Sequence, residues 1–281
     1  MKKTWISGAM CLGMMAILSV LGLFEFPYRQ IVFSAVSVLL FTACGILLLQ
    51  MSAGMGAKAF FRLRATRFRD YGIVLLCLIV VVCGSFLLNY TVGALFDLAG
   101  VQIENTNVSS ISDNYLLGVV TVALIPAIFE ELFFRGAVLS GFHDKGTLYG
   151  ILVSSALFVL MHGLDPFFLT TFFAGCVFAV TVLLTNSIFA AMFVHFANNI
   201  ISYFLSVYSD RLAQVDLDLF MFYGVIVVFL ISLYGILSSA IKKYKRVLKR
   251  ERNILNEGEI LWQDKAMQPQ DGAEKAKAEK N

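Results

Sequence analysis

Long apolar runs separated by short loops constrain the fold of this chain more than any other feature of its sequence. A hydrocarbon core of roughly 30 Å needs about 20 apolar residues in a helix, and about eight stretches come close to that length. Of the 41 charged residues, 18 lie in the last forty positions, so the first 241 positions carry only 23. This density is too low for a water-facing surface and argues against a soluble enzyme, a disordered chain and a nucleic-acid binder. We predict an all-α, polytopic transmembrane helix bundle, with spans near residues 5–24, 31–50, 71–96, 115–139, 148–163, 167–185, 187–208 and 219–241.

The basic residues predict the orientation of these spans. Short loops that are rich in lysine and arginine stay on the cytoplasmic side of a membrane. Such residues precede the first predicted span, follow the eighth, and occupy the loops after the second and fourth, whereas the alternate loops hold only Arg29 and Arg211. Both termini are therefore predicted to be cytoplasmic. The basic segment 51–70 has two interpretations, a loop held inside by its charge or an amphipathic helix on the inner leaflet with Phe60, Phe61, Leu63 and Phe68 in lipid.

Three charged residues fall inside the fourth predicted span. An ionisable side chain at membrane depth costs about 2.5–3.5 kcal/mol even on the lenient insertion scales. Glu131 and Arg135 are four residues apart, so they share a helix face and can form an ion pair. Glu130 is rotated by roughly 100° from Glu131 and must find a partner on another helix or face a water-filled cavity. Pro126 removes a backbone hydrogen bond and can kink the helix just before the glutamates.

Two histidines and an amide lie in other apolar runs. His162 and His195 fall on two later predicted spans, Asn199 follows His195 by four residues, and Phe158 precedes His162 by four. Each group alone also has a structural interpretation, as a buried strut or an interhelical hydrogen bond. Because such groups avoid lipid, they are expected to face the bundle interior together. We predict that Glu130, the two imidazoles and the amide share a functional site.

Three short motifs thus follow one another on separate predicted spans. In order they read Glu-Glu-x-x-x-Arg from Glu130, Phe-x-x-x-His ending at His162, and His-x-x-x-Asn from His195 to Asn199. This pattern resembles the CPBP intramembrane proteases, named for CAAX prenyl protease and bacteriocin-processing members. The resemblance covers about residues 115–200, and no motif position departs from the family pattern. We accordingly divide the chain into a transmembrane domain (1–241), with its catalytic core at about 115–208, and a basic flank with a flexible cytoplasmic tail (242–281).

The resemblance implies hydrolysis of a peptide bond within or at the edge of the membrane, in a membrane-embedded or lipidated peptide or protein. By the resemblance, Glu130 is the general base that activates water, and His162 orients that water or handles protons. His195 with Asn199 is expected to stabilise the tetrahedral oxyanion. Glu131 and Arg135 are expected to be mainly architectural, with Phe158 supporting the site.

The residues of the site are compatible with two interpretations, one with a bound metal ion and one without. The family is often labelled metalloprotease, and His162 and His195 with a carboxylate form a plausible zinc set. The usual protease motif His-Glu-x-x-His is absent, and the family is also described as using glutamate-activated water without zinc. The sequence leaves both possibilities open, and we favour the site without metal.

Other functions use similar residues. A membrane scaffold or bacteriocin self-immunity protein could retain the motifs for stability and bind a partner without cleaving it. A proton-coupled transporter also uses buried glutamate and histidine, but paired broken helices and repeated halves, which are typical of such transporters, are absent from the sequence. We expect a lipid bilayer and a peptide substrate as partners, no nucleic acid, and a place in the plasma membrane of a bacterium.

Overall fold

A computed structural model describes residues 2–24, 29–52, 56–101, 114–142, 146–163, 165–208 and 219–267. The regular structure within these ranges is helical throughout, which confirms the all-α prediction. In chain order the helices are α1 (Lys2–Gly22), α2 (Arg29–Gln50), α3 (Ala57–Phe60), α4 (Tyr71–Leu98), α5 (Tyr115–Gly141), α6 (Thr147–His162), α7 (Phe168–Thr185), α8 (Ile188–Val207) and α9 (Leu219–Met267).

The membrane spans agree with the predicted bundle. Within the described residues, six helices are long and apolar enough to cross a membrane, namely α2, α4, α5, α7, α8 and α9. Two shorter apolar helices, Ile6–Leu21 within α1 and Thr147–His162, correspond to the first and fifth predicted spans. At 1.5 Å per residue, the 16 residues of α6 measure about 24 Å, which is less than the hydrocarbon thickness of roughly 30 Å. The last residue of α6, His162, is therefore expected to lie inside the membrane.

By its internal contacts the chain divides into two compact units, Met1–Ile236 and Leu237–Asn281. The first unit contains every candidate site residue. The second contains the later part of α9, whose helix continues to Met267 where the sequence had predicted a span ending at 241. Lysine, arginine, glutamate and leucine dominate the added segment, and all four are good helix formers. The flexibility of the tail stays a prediction, and residues 268–281 lie outside the described ranges.

Helix α5 is irregular. It is π-helical at Val119–Leu124 and again at Glu131–Val138, and π-helical turns are frequent at functional sites. Pro126 lies in the short α-helical piece between them and has no N–H, so the carbonyl of Val122 loses its ordinary α-helical donor. The Nδ2 atom of Asn199 on α8 donates to that carbonyl at 3.2 Å. The irregularity expected at Pro126 is thus stabilised by a neighbouring helix.

Loops predicted on the cytoplasmic side contact one another. The Ser140 hydroxyl at the end of α5 donates to the Phe60 carbonyl at 2.8 Å. The Ser187 hydroxyl, between α7 and α8, donates to the Arg64 carbonyl. The described residues 56–70 therefore lie at the same end of the bundle as the end of α5 and the start of α8, as the predicted orientation of the spans requires.

The same contacts correct one interpretation of the basic segment. Within residues 56–70 the only helices are the four-residue α3 and a 3-10 turn at Phe68–Asp70, so an amphipathic helix along this part is excluded. Phe60 is buried, and the space beside Gly136 is filled by the ring of Phe61. Phe68, in contrast, is 91% exposed. Two of the four aromatic or aliphatic side chains expected in lipid, Phe60 and Phe61, pack instead against protein.

Helices α6 and α7 are in close contact at Gly175, which leads to a prediction about stability. A Cβ atom at this position would lie 3.0 Å from the Cβ and 3.3 Å from the Cα of Ser155, and a backbone atom cannot rotate away. Gly175→Val should therefore lower the free energy of unfolding by about 1–3 kcal/mol through overpacking. Unfolding of the purified protein in detergent micelles measures this. Gly224→Ala is the control, because its Cβ would meet open space; an equal loss in both variants would contradict the prediction.

Candidate active site

Three of the polar side chains singled out by the sequence meet between α5, α6 and α8. The Oε2 atom of Glu130 lies 3.8 Å from Nε2 of His162 and 3.9 Å from Nε2 of His195. These separations are too long for direct hydrogen bonds. They are short enough for a water molecule bound to the carboxylate to reach an imidazole as well. The structure therefore brings one carboxylate and two imidazoles, from three helices, to a single point.

Glu131 connects this point to a buried cation. Its Oε1 atom lies 2.9 Å from Nη1 of Arg135 and also accepts a hydrogen bond of 2.9 Å from Nδ1 of His195. The side chains are 0% exposed for Glu131 and Arg135 and 2% for His195. Because Nδ1 of His195 donates, its Nε2 atom is the one presented to Glu130. Glu131 thus orients the catalytic candidate His195, a role beyond the ion pair that its spacing predicted.

Several groups compensate the buried charge of Arg135. Its Nη2 atom donates to the carbonyl of Gly175 at 3.1 Å. The guanidinium carbon lies 4.4 Å from the ring centroid of Phe158 and 5.3 Å from that of Phe178, within the range of cation–π attraction. A carboxylate, a carbonyl and two aromatic faces therefore surround the guanidinium. Burial of this cation is acceptable only with such partners.

His162 differs from His195 in its surroundings. Its Nδ1 atom donates to the Phe158 carbonyl at 2.9 Å, and the Phe158 ring packs beside the imidazole with centroids 4.4 Å apart. Gly163 follows with a φ of 88°, a left-handed conformation that favours glycine and ends the helix. The His162 side chain is 41% exposed, against 14% for Glu130. The site is thus open on the side of His162 and closed on the side of His195.

Asn199 lies one helical turn beyond His195. In the described part of the chain its Nδ2 atom donates to the Val122 carbonyl, and its Oδ1 atom accepts from Nδ2 of Asn198. Neither hydrogen bond goes to the Glu130 carboxylate. The structure therefore places Asn199 beside the site, where it holds the kinked part of α5 against α8.

Sequence reasoning missed Phe178 on α7. Its ring stacks on the imidazole of His195, with centroids 4.5 Å apart and an interplanar angle of 18°. The helix that carries it has no motif of its own, and Phe178 is one of 26 phenylalanines. No spacing in the sequence distinguishes it, because the contact depends on how α7 packs against α8.

The donor atoms of Glu130, His162 and His195 are spaced more widely than the ligands of a bound zinc ion. Zinc bonds of about 2.0–2.2 Å in a tetrahedron bring neighbouring ligand atoms to about 3.4 Å from each other. The two separations measured from Glu130 Oε2 are wider, at 3.8 and 3.9 Å. Within the residues that the structure describes, no three histidine, cysteine, aspartate or glutamate side chains form a group able to hold a metal ion.

The fold and the site define a class, multi-pass membrane proteins with a site of carboxylate and imidazole groups between their helices. Residues 112–201, about a third of the chain, match the model of the family described as Rce1-like, type II CAAX prenyl endopeptidase. The matched region includes all three motifs and confirms the resemblance drawn from the sequence. No curated protein and no solved structure matches the chain. The similarity is thus to a family of CAAX prenyl endopeptidases, at the family level and over this region of the chain.

Proposed function

We propose that this protein is an intramembrane endopeptidase in which Glu130 activates the attacking water. The substrate is a membrane-embedded or lipidated peptide or protein. The observation that carries the proposal is the convergence of His162 Nε2 and His195 Nε2 on Glu130 Oε2 at 3.8 and 3.9 Å. Three ionisable groups from separate helices are costly at membrane depth, and a catalytic site accounts for their being together.

The hydrogen bonds of His162 support a role in holding the water. Since Nδ1 donates to the Phe158 carbonyl, Nε2 of the neutral ring carries a lone pair. Glu130 Oε2 and His162 Nε2 are then two acceptors, one for each hydrogen of a water molecule. Held in this way, the water directs an oxygen lone pair at the carbonyl carbon. Glu130 takes the proton as the new carbon–oxygen bond forms.

His195 is suited to the charge that develops on the carbonyl oxygen. When both ring nitrogens carry a proton, Nδ1 donates to Glu131 and Nε2 donates to the tetrahedral oxyanion. The carboxylate of Glu131 stabilises the imidazolium, as a buried aspartate does in a Ser-His-Asp triad. Asn199 uses one amide hydrogen for Val122 and has a second to donate to the oxyanion. Glu130 finally gives its proton to the leaving amine as the carbon–nitrogen bond breaks, which restores the carboxylate.

Cleavage can be tested before the substrate is identified. N-terminal peptides are sequenced from membranes of cells that produce the wild-type protein, Glu130→Gln or Asp97→Asn, with protein amounts matched. New N-termini should appear with the wild type and with Asp97→Asn, an exposed carboxylate outside the site, and should be absent with Glu130→Gln. New N-termini in the Glu130→Gln membranes, or none in the wild-type membranes, would contradict the proposal.

We also propose that catalysis needs no metal ion, since the donor atoms are spaced more widely than zinc ligands and can instead hold a water molecule. A strong chelator should leave the rate of cleavage at the sites identified by N-terminal sequencing unchanged, and elemental analysis of the purified protein should find no stoichiometric zinc. Loss of activity with chelator and its return with zinc would overturn this part. The comparison of new N-termini between the wild type and Glu130→Gln would remain valid if zinc proved to be required.

The multi-pass character follows from the helices and the family match. We further propose a bacterial plasma membrane, with both termini in the cytoplasm, because the basic segment 56–70 contacts the end of α5 and the start of α8 at one end of the bundle. Reporter enzymes fused after residue 101 and after the last described residue, Met267, should report opposite sides of the membrane. Equal activity of a cytoplasmic reporter at both positions would contradict this orientation.

A further inference from the structure

A groove outside the active site runs along the start of α4 and α8. Its volume is about 410 Å³, which is within the range of small-molecule sites. Apart from one threonine and the phenolic oxygen of Tyr71, the side chains around it are apolar, and the aromatic ones are about half exposed. The residues that line it are Ala65, Thr66, Tyr71, Val74, Phe189, Ala190 and Phe193.

Three arginines flank the lining residues in the chain. Arg64 directly precedes the lining residue Ala65, and Arg67 and Arg69 fall between the lining residues Thr66 and Tyr71. One carboxylate lies among them, Asp70, at 2.8 Å from Nε of Arg67 and 3.9 Å from Nε of Arg69. The segment 64–70, termed the arginine rim, therefore carries a formal net charge of +2.

A hydroxyl group at the start of α8 fixes the backbone of the arginine rim. The hydroxyl of Ser187 donates to the Arg64 carbonyl and lies 3.1 Å from the hydroxyl of Thr66. Phe68, 91% exposed, makes an edge contact with Tyr71 at a centroid distance of 6.1 Å. Exposed aromatic rings beside cations are typical of the membrane–water interface. The groove therefore begins at the membrane surface and descends along the first turns of two spanning helices.

We propose that this groove binds an anionic glycerophospholipid, with one acyl chain against the aromatic lining and the phosphate at the arginine rim. The charge of the rim selects the anionic headgroup, because guanidinium groups bind phosphate in bidentate geometry. Clusters of basic residues next to a spanning helix also attract anionic lipids on the cytoplasmic leaflet. The proposal concerns lipid binding and does not depend on the proposed protease activity.

Tryptophan quenching in vesicles tests the proposal on the full chain. Trp5→Phe and Trp262→Phe remove the native tryptophans, and Phe193→Trp places a reporter in the groove. The protein is reconstituted into phosphatidylcholine vesicles that contain increasing fractions of brominated phosphatidylglycerol or brominated phosphatidylcholine. We expect an association constant at the reporter about fivefold larger for phosphatidylglycerol, returning to about equality in Arg64→Gln with Arg69→Gln.

Two controls distinguish this site from general lipid contact. Leu152→Trp places the reporter in α6, five residues from the helix start, as Phe193 is in α8; it should show no preference between the lipids. Lys245→Gln with Lys249→Gln removes the same charge from residues that do not line the groove, and should leave the preference at Phe193→Trp unchanged. Equal quenching by both lipids at the groove, an unchanged preference without the two arginines, or shielding from both lipids by a second protein copy would overturn the proposal.

Discussion

Replacing Arg135 with leucine is expected to lower the free energy of unfolding by about 3–5 kcal/mol, because it leaves an uncompensated charge in the bundle interior. Glu131 is fully buried and lies 2.9 Å from the guanidinium. Its Oε2 atom has no hydrogen-bond partner among the described residues. The negative charge of Glu131 is therefore stabilised by the Arg135 guanidinium and by the hydrogen bond from His195. Reversible unfolding in detergent micelles, followed by helical circular dichroism, measures the loss.

The double variant Glu131→Leu with Arg135→Leu separates the two possible causes of that loss. Removing both charges should restore most of the stability, since replacing a buried ion pair by apolar side chains is often neutral or stabilising. Arg246→Leu, an exposed arginine, is the matched control and should change the free energy of unfolding by less than about 0.5 kcal/mol. If Arg135→Leu behaves like Arg246→Leu, the charge of Arg135 contributes little to stability. If the double variant is as unstable as the single one, lost packing is the cause.

The parts of the site that depend on local spacing could be predicted from the sequence. The four-residue separation of Glu131 and Arg135 is enough to predict their ion pair, and the same separation brings the ring of Phe158 to His162. Runs of apolar residues predict the spans because lipid imposes a minimum helix length. Each of these inferences concerns residues within a single helix.

The contacts that complete the site lie between helices and have no signature in spacing. Glu131 and His195 are 64 positions apart, and their hydrogen bond depends on the packing of α8 against a π-helical part of α5. A regular α-helix rotates neighbouring residues by about 100°. The π-helical stretch Glu131–Val138 changes that rotation for every side chain that follows. The hydrogen bond from Asn199 to the Val122 carbonyl is of the same kind. Pro126 predicts that this carbonyl lacks its usual donor, but it does not indicate which residue supplies another.

The two histidines should respond differently to the same substitution. His162→Ala removes a side chain that is 41% exposed at the end of a helix. Because water can replace its hydrogen bond to the Phe158 carbonyl at this exposed position, the free energy of unfolding should fall by less than about 1 kcal/mol. His195→Ala removes a buried imidazole, leaves Glu131 without its interhelical donor and removes the stacking partner of Phe178. Unfolding should become easier by about 1–3 kcal/mol, the cost of a buried group that loses its hydrogen bond.

Both histidine variants are nevertheless expected to lower the cleavage rate constant by about 10²–10⁴, the usual contribution of a group that transfers or directs a proton. The measurements are kcat at a cleavage site identified by N-terminal sequencing and unfolding in the same detergent. Ser154→Ala is a useful reference, because it removes a buried hydrogen bond to the Phe134 carbonyl without touching either imidazole. It should lose stability and keep its rate constant. Full activity of His162→Ala would remove that residue from the mechanism, and equal stability of the two histidine variants would contradict the burial of His195.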